Sequence, residues 1–213
     1  MLQIQRFVFN PFYENTYLIW DEDSKEAAVI DPGCFDESEK DALIKFIHAN
    51  SLKIKYLINT HCHIDHIIGN SYIKEKYNPL FLAPEKDLFL LKSIVEEAGK
   101  YYIEVEPSPM PDEYLSENTL LNLGKNNCII IETPGHTPGG TCLYFEKDKI
   151  CFTGDVLFNR SIGRTDLSGG NYESLIDSVK DKLFTLPDDV KIYSGHESSS
   201  TIGDEKRYNP FFR

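Results

Sequence analysis

A layered α/β fold is predicted, with strands inside and helices outside. Three observations point to it. Short β-rich runs and amphipathic helical runs occur in two similar batches, one in each half of the chain. A length of 213 residues at 41% hydrophobic composition is enough to bury a core in one domain. Residues suited to binding metal follow directly on several strands, which is the layout expected when loops converge at one edge of a scaffold.

The elements follow in order. Residues 4–9, 15–20 and 26–30 are rich in β-formers and separated by turn residues such as Asn10-Pro11 and Asp21-Glu22-Asp23-Ser24. Residues 36–50 read as an amphipathic helix. Asp36 and Glu39 have capping-box spacing, and Ala42, Leu43, Phe46 and Ile47 share a face. Residues 53–59 form a short apolar strand, 69–77 a helix, 79–83 a strand, and 85–100 a helix with Leu88, Leu91, Ile94 and Val95 on its apolar side. Three prolines make 106–112 irregular. Strands return at 119–123, 128–132, 141–145 and 150–153, the last two joined by a turn at Lys147-Asp148. A helix spans 171–186 and a last strand 190–193.

The formal net charge is -12, which disfavours nucleic acid as a partner because phosphate binding needs clustered Lys and Arg. No apolar stretch approaches membrane-spanning length, and the N-terminus lacks a signal-peptide layout. A cytoplasmic protein with no membrane partner is expected. Its five cysteines are an odd count without a CxxC pair, which suits a reducing compartment. Cys128, Cys142 and Cys151 sit in apolar strand-like runs and read as core residues. Cys62 lies between two candidate ligands, but alternation in an extended segment turns it away from His61 and His63.

The chemistry concentrates in the histidines. His61, His63 and His66, with Asp65, fall within six residues; His136 and His196 sit in turn-like settings, and Asp155 follows another strand. Imidazole and carboxylate are ligands that Zn²⁺ and similar ions prefer. His61 and His63 are two apart, so an extended backbone projects them to one side. Seven donors are too many for one tetrahedral ion and about right for two. Such a pair lowers the pKa of bound water and stabilises attacking and leaving oxygens, so a bridging hydroxide would be the nucleophile of a hydrolase needing no Ser or Cys. His48, on the helix at 36–50, stands outside the pattern as a partly exposed residue.

Thr60-His61-Cys62-His63-Ile64-Asp65-His66, Gly135-His136-Thr137, Gly154-Asp155 and Gly195-His196 resemble the motifs of the metallo-β-lactamase fold superfamily, with Asp31 at its first acidic position. The resemblance implies a four-layer αββα sandwich with a dinuclear site at the edge between two sheets. It implies that His61, His63 and His136 hold one metal, that Asp65, His66 and His196 hold the other, and that Asp155 bridges. Asp31 would orient the site without binding metal, and Asp65 would also orient the hydroxide. Glu14-Asn15-Thr16-Tyr17, the segment from Ser161 to Leu167 with Gly169-Gly170, and the tail from Thr201 to Phe211 further resemble short, single-domain glyoxalase II-like hydrolases. A single domain over 1–213 is then expected, without the C-terminal helical domain that binds glutathione in longer members. Gly140 and Glu197 depart from the pattern, which has His or Ser and Gly at these places.

The implied activity is hydrolysis of acyl thioesters such as S-lactoylglutathione, a small-molecule substrate, with two divalent ions, Zn first and Fe or Mn admissible. The alternatives are a mononuclear-iron sulfur dioxygenase on the same fold and a metal-binding protein without turnover; a β-lactamase is disfavoured by the missing export signal. Arg164 suits an anionic group on the substrate or a structural pair with Asp166. Tyr13, Tyr17 and Phe158 are candidate pocket aromatics.

Overall fold

The computed structural model describes residues 1–213. Its first sheet contains β1 (Leu2–Phe9), β2 (Glu14–Asp21), β3 (Glu26–Ile30), β4 (Lys53–Ile58), β5 (Leu80–Pro84) and β6 (Glu113–Leu115), side by side in that order. The first three strands are antiparallel neighbours. From β3 onward the pairs are parallel, joined by helical crossovers. The second sheet uses β7 (Leu121–Leu123), β8 (Asn126–Glu132), β9 (Thr141–Phe145), β10 (Ile150–Gly154), β13 (Lys191–Ser194) and β14 (Ser200–Thr201), in the order β14-β13-β10-β9-β8-β7. A small hairpin of β11 (Leu157–Phe158) and β12 (Ser161–Ile162) stands apart.

Side-chain alternation builds three cores from two sheets. In β2, Leu18 and Trp20 face one core while Tyr17 and Ile19 face another; in β3, Ala27 and Val29 divide from Ala28 and Ile30 in the same way. The outer core of the first sheet packs on Leu43, Ile44 and Ile47 of α1 (Glu37–Ala49) and Ile73 beyond the four-residue α2 (Ile64–Ile67), in α3 (Asn70–Tyr77). Leu90 and Leu91 of α4 (Leu88–Lys92) and Ile94 of α5 (Ile94–Lys100) complete that layer. The middle core lies between the sheets, where Ile30, Ile58 and Leu82 meet Ile130, Leu143 and Phe152. On the far side, Cys142, Tyr144, Cys151 and Ile192 pack on Leu175 of α6 (Tyr172–Asp177), on Val179 and Leu183 beyond it, and on Ile202 of α7 (Ile202–Tyr208). The architecture is therefore the expected four-layer αββα sandwich. Strands buried on both faces explain why several read as continuous apolar runs. No helix is long and apolar enough to cross a membrane.

Local details depart from the sequence reading. The expected helix over 85–100 is a 3₁₀ turn, then α4, then α5, with the break at Ser93. The helix at 171–186 runs through a π-turn at Ser178–Lys182 and ends in a 3₁₀ turn. On α1, Ala42 is exposed and Ile44 takes its place on the buried face. His48 is exposed. Asp36 accepts from Glu39 N–H as expected, but the Glu39 carboxylate goes to the N–H groups of Phe35 and Asn10, both at 2.7 Å. β6, the β11–β12 hairpin, β14 and α7 had no sequence assignment.

The two sheets are joined at one end. Asn15 N–H donates to the Gly195 carbonyl (2.7 Å), Thr141 N–H to the Thr60 carbonyl (2.9 Å), and the Tyr17 hydroxyl to the Ser194 carbonyl (2.7 Å). The C-terminal ends of β4, β8, β10 and β13 therefore converge, and the loops that follow them share one edge.

Candidate metal centre

Five of the seven donors lie in a loop or turn just past a strand end, and Asp65 and His66 lie in the short helix α2. His61 and His63 follow β4, and the chain then turns into α2, which lets Asp65 and His66 reach the same centre. His136 follows β8, Asp155 follows β10, and His196 follows β13. Gly154 makes the turn at the end of β10 with φ +47, a left-handed conformation that suits glycine, and so aims Asp155 back into the cleft. Asp31 also has positive φ (49°) at the end of β3, a conformation aspartate tolerates better than most residues.

The donors form two sets of three. One comprises His61, His63 and His136; the other comprises Asp65, His66 and His196; within each, the ligand atoms lie within 4.8 Å of one another. Asp31, His61 and His66 make a third grouping that overlaps both. Asp155 lies between the sets. Its Oδ1 is 3.4 Å from His66 Nε2, and its Oδ2 is 3.5 Å from His136 Nε2 and 3.6 Å from His196 Nε2. Asp65 Oδ2 is 3.1 Å from His196 Nε2 and 3.6 Å from His66 Nε2. The His61 and His66 ring centroids are 4.1 Å apart, so the two sets touch.

The ring nitrogens divide by role. His66 Nδ1 faces Asp31 Oδ2 at 3.2 Å, His136 Nδ1 donates to the Arg164 carbonyl at 2.7 Å, and His61 Nδ1 faces the Thr60 hydroxyl at 3.1 Å. An outer partner on one nitrogen fixes the tautomer and frees the other to bind metal. His63 has no such outer partner, since its Nδ1 lies 2.8 Å from His136 Nε2 within the cluster. His61 Nε2, His63 Nε2, His66 Nε2 and Asp155 Oδ1 are buried with no hydrogen-bond partner. Such atoms are rare in folded proteins, and these four belong to one cluster of metal-compatible donors. The residues present fit a divalent ion pair.

Electrostatics agree. Burial pushes the His61 imidazole well down, with the His66 charge adding to it, and burial pushes His63 down to about 4. Both rings are then neutral at pH 7, the form that binds metal. Burial also opposes charge on His66, but Asp65 and Asp155 outweigh it and raise that ring well above its ordinary range. Burial alone would raise Asp155; His66 and His136 outweigh it and hold the carboxyl well below the usual range. The pocket around His66 thus favours positive charge.

Asn10 and Asn59 had no sequence signal as supports, whereas Asp31 did. Asn10 Nδ2 donates to the Asp65 carbonyl (2.9 Å) and Asn59 Nδ2 to the His66 carbonyl (3.1 Å), which fixes the turn into α2. Glu14, fully buried, has Oε1 3.9 Å from His66 Nδ1, and burial raises its carboxyl well above the usual range. Asp31 accepts Thr60 N–H at 2.7 Å and the Thr60 hydroxyl at 2.6 Å, so it orients the loop of His61 as well as the ring of His66. Cys62 packs in the outer core of the first sheet, and burial raises its thiol well above the ordinary range.

Five of the donors, His63, Asp65, His136, Asp155 and His196, line a cleft of about 610 Å³. Phe12, Leu90, Ile94, Tyr101, Phe158 and Ile162 line its apolar wall. A larger hollow of about 850 Å³, lined by Val95 and Gly99 of α5, contains none of the seven donors. Of the candidate aromatics, Phe158 lines the cleft, Tyr17 is buried between the sheets, and Tyr13 is 75% exposed away from it. Arg164 is on the rim, forked onto Asp166 at 2.7 and 2.8 Å. Glu197 takes φ +65, where glycine would be free of strain, and its carbonyl accepts from Arg6 and Asn15 at 2.9 Å. Gly140 accepts Thr133 N–H through its carbonyl at 2.7 Å and lies beside His61, His136 and Asp155, so its departure from the pattern falls next to the donors.

Comparison with known proteins matches residues 9–196 to the metallo-beta-lactamase superfamily. The hydroxyacylglutathione hydrolase GloC of Haemophilus influenzae is 41% identical over 212 residues, 99% of this chain and 98% of that protein. The crystal structure of BLEG-1 B3 metallo-beta-lactamase is similar with a TM-score of 0.89 at 30% identity, covering 99% of both chains. TTHA1623 in a di-iron-bound form has a TM-score of 0.86 at 30% identity, covering 97% of this chain and 99% of that one.

Proposed function

The chain belongs to the metallo-beta-lactamase superfamily and is a metallo-hydrolase; on that premise we propose that it hydrolyses acyl thioesters, S-lactoylglutathione among them, at a two-metal centre. The observation behind this reading is the pair of donor sets with Asp155 between them, at the floor of a cleft with an apolar wall. His61, His63 and His136 would hold one ion, Asp65, His66 and His196 the second, and Asp155 both. When bound, such a pair acidifies water and offsets charge on a reacting oxygen. Zinc suits the donors, and iron or manganese suit them too.

The chain's own residues supply the rest. Asp65 orients the attacking water by accepting a hydrogen bond at its carboxylate. Asp31 keeps the His66 ring turned inward. Phe12, Ile94 and Phe158 exclude bulk water and take the acyl group. Arg164 lies where it can exchange its exposed partner Asp166 for an anionic group on the thiol. The acidic chain, at -12, suits a small-molecule substrate over nucleic acid. Five free, buried cysteines support the reducing cytoplasm as its compartment.

The test is elemental analysis together with a substrate panel. Two divalent ions per chain and hydrolysis of S-lactoylglutathione or another acyl thioester are expected. Nitrocefin hydrolysis alone, or oxygen consumption with a persulfide alone, would transfer the centre to β-lactam or sulfur chemistry. A chain with two ions and no activity on the panel would leave it a metal-binding protein.

A further inference from the structure

We infer that Asp87 is a positioning residue for the three-histidine set, fixing from outside the loops that present His61, His63 and His136. The inference rests on reading those histidines as metal ligands. Asp87 ends a 3₁₀ turn and stands at the N-cap of α4, where an aspartate ordinarily accepts an N–H of its own helix. It makes no such bond. Its carboxylate reaches away instead. Oδ2 accepts Cys62 N–H at 3.2 Å and the Thr137 hydroxyl at 2.7 Å, while Oδ1 accepts Gly139 N–H at 2.6 Å.

Each of those donors adjoins a ligand. Cys62 N–H belongs to the peptide that follows His61 and precedes His63, and Thr137 follows His136 directly. One loop comes from β4 in the first sheet and the other from β8 in the second. A single carboxylate thus clamps two loops from different sheets. The side chain is fully buried, and a buried carboxylate is costly unless hydrogen-bonded. Here every compensating bond comes from the two ligand loops. Gly139 completes the device, since a Cβ there would meet Asp87 Oδ1 at 2.6 Å. Asp87 makes no hydrogen bond to any of the rings, so it acts through loop spacing. It has no counterpart contact with the Asp65, His66 and His196 set, which hangs on Asp31, Asn10 and Asn59.

A residue that only stabilised the fold would weaken both sets alike; a positioning residue weakens one. In zinc-loaded wild type, two ions are expected to leave to a chelator in two phases. Asp87→Asn turns an amide N–H toward a donor. It is expected to speed one phase ~10–100-fold, the cost typical of losing an outer partner of metal ligands, and to leave the other at the wild-type rate. Repeating the release in a His196→Ala background, where the three-histidine set is the intact one, assigns the fast ion. Thr137→Val removes one of the three bonds and is expected to speed the same phase by less; it decides the matter if Asp87→Asn does not fold. Equal acceleration of both phases, or of neither, makes Asp87 a packing residue and overturns the inference. A wild-type chain that takes up fewer than two ions overturns the two-metal reading itself, and the inference with it.

Discussion

His66 and His136 are both deeply buried histidines of the donor cluster, but they are held in different ways. His66 is braced within its own half of the chain: Asp31 on its ring, Asn59 on its carbonyl, and Asn10 on the carbonyl of the residue before it. His136 is braced across the halves. The Arg164 backbone carbonyl holds its ring, and Asp87, from the first half, holds the loop beyond it. Charge divides the same way. Around His66 stand Asp31, Asp65, Asp155 and Glu14, whereas the His61, His63 and His136 set contains no carboxylate of its own. His66 is thus placed by side chains of its own half, a carboxylate on the ring and Asn amides on the chain, and His136 by a backbone carbonyl on its ring and the Asp87 carboxylate on its loop.

Asp155 is the group both sets share, and its loss should break the comparison outright. Asp155→Ala is expected to lower thioester turnover by at least ~100-fold, the upper end for losing even an outer partner of a ligand, and to weaken both ions. Wild-type turnover in that variant would mean that the sets do not work as one centre. Asp31→Asn comes next. It is expected to weaken the ion of the Asp65, His66 and His196 set ~10–100-fold, read by chelator competition, and to weaken the ion that Asp87→Asn releases by less, since the bonds of Asp31 to Thr60 also brace the loop of His61. If the two variants weaken the same ion most, the two sets do not have separate supports.

Arg164→Met should have the smallest effect, because the residue supports His136 through its carbonyl and not its side chain. Metal content should stay at the wild-type level, and stability should change within about 0.5 kcal/mol, as for most surface substitutions. The Arg164 guanidinium holds the Asp166 carboxyl down at about 2. A depressed carboxylate favours the folded state above its ordinary range, and that contribution fades as pH falls toward about 2. In Arg164→Met the Asp166 midpoint, followed by NMR, should return toward the ordinary range. An unmoved midpoint would show that the fork is not formed in solution. A rise in KM with kcat unchanged would identify the guanidinium as a substrate contact.

The donors were legible in the sequence because each follows an apolar β-rich run, and ligand chemistry is confined to few residue types. His61, His63, Asp65, His66, His136, Asp155 and His196 all meet at one edge. A layered α/β fold was legible from the two batches of elements, and its four-layer form from the motif resemblance. What was not legible depends on long-range backbone partners. Nothing in the composition of 85–100 shows that Asp87 will turn from its own helix to bond Cys62, Thr137 and Gly139. The acceptor for His136 is a carbonyl, which every residue has. Strands of two residues, as in the β11–β12 hairpin, are too short for alternation to register. The helix α7 did leave a signal, since the Thr201 hydroxyl accepts Asp204 N–H at 3.1 Å in the spacing of a helix start.

The bonds that join the sheets also set an order of events during synthesis. Asn15 waits for Gly195, and Thr60 for Thr141. Ribosomes add roughly 5–20 residues per second, so the His61 to His66 segment emerges many seconds before His196. Through that interval the nascent chain exposes a histidine-rich stretch whose partners do not yet exist. On the two-metal reading, loading with both ions would be an event of the completed chain, and capture of metal by the early segment a hazard for its folding to outrun.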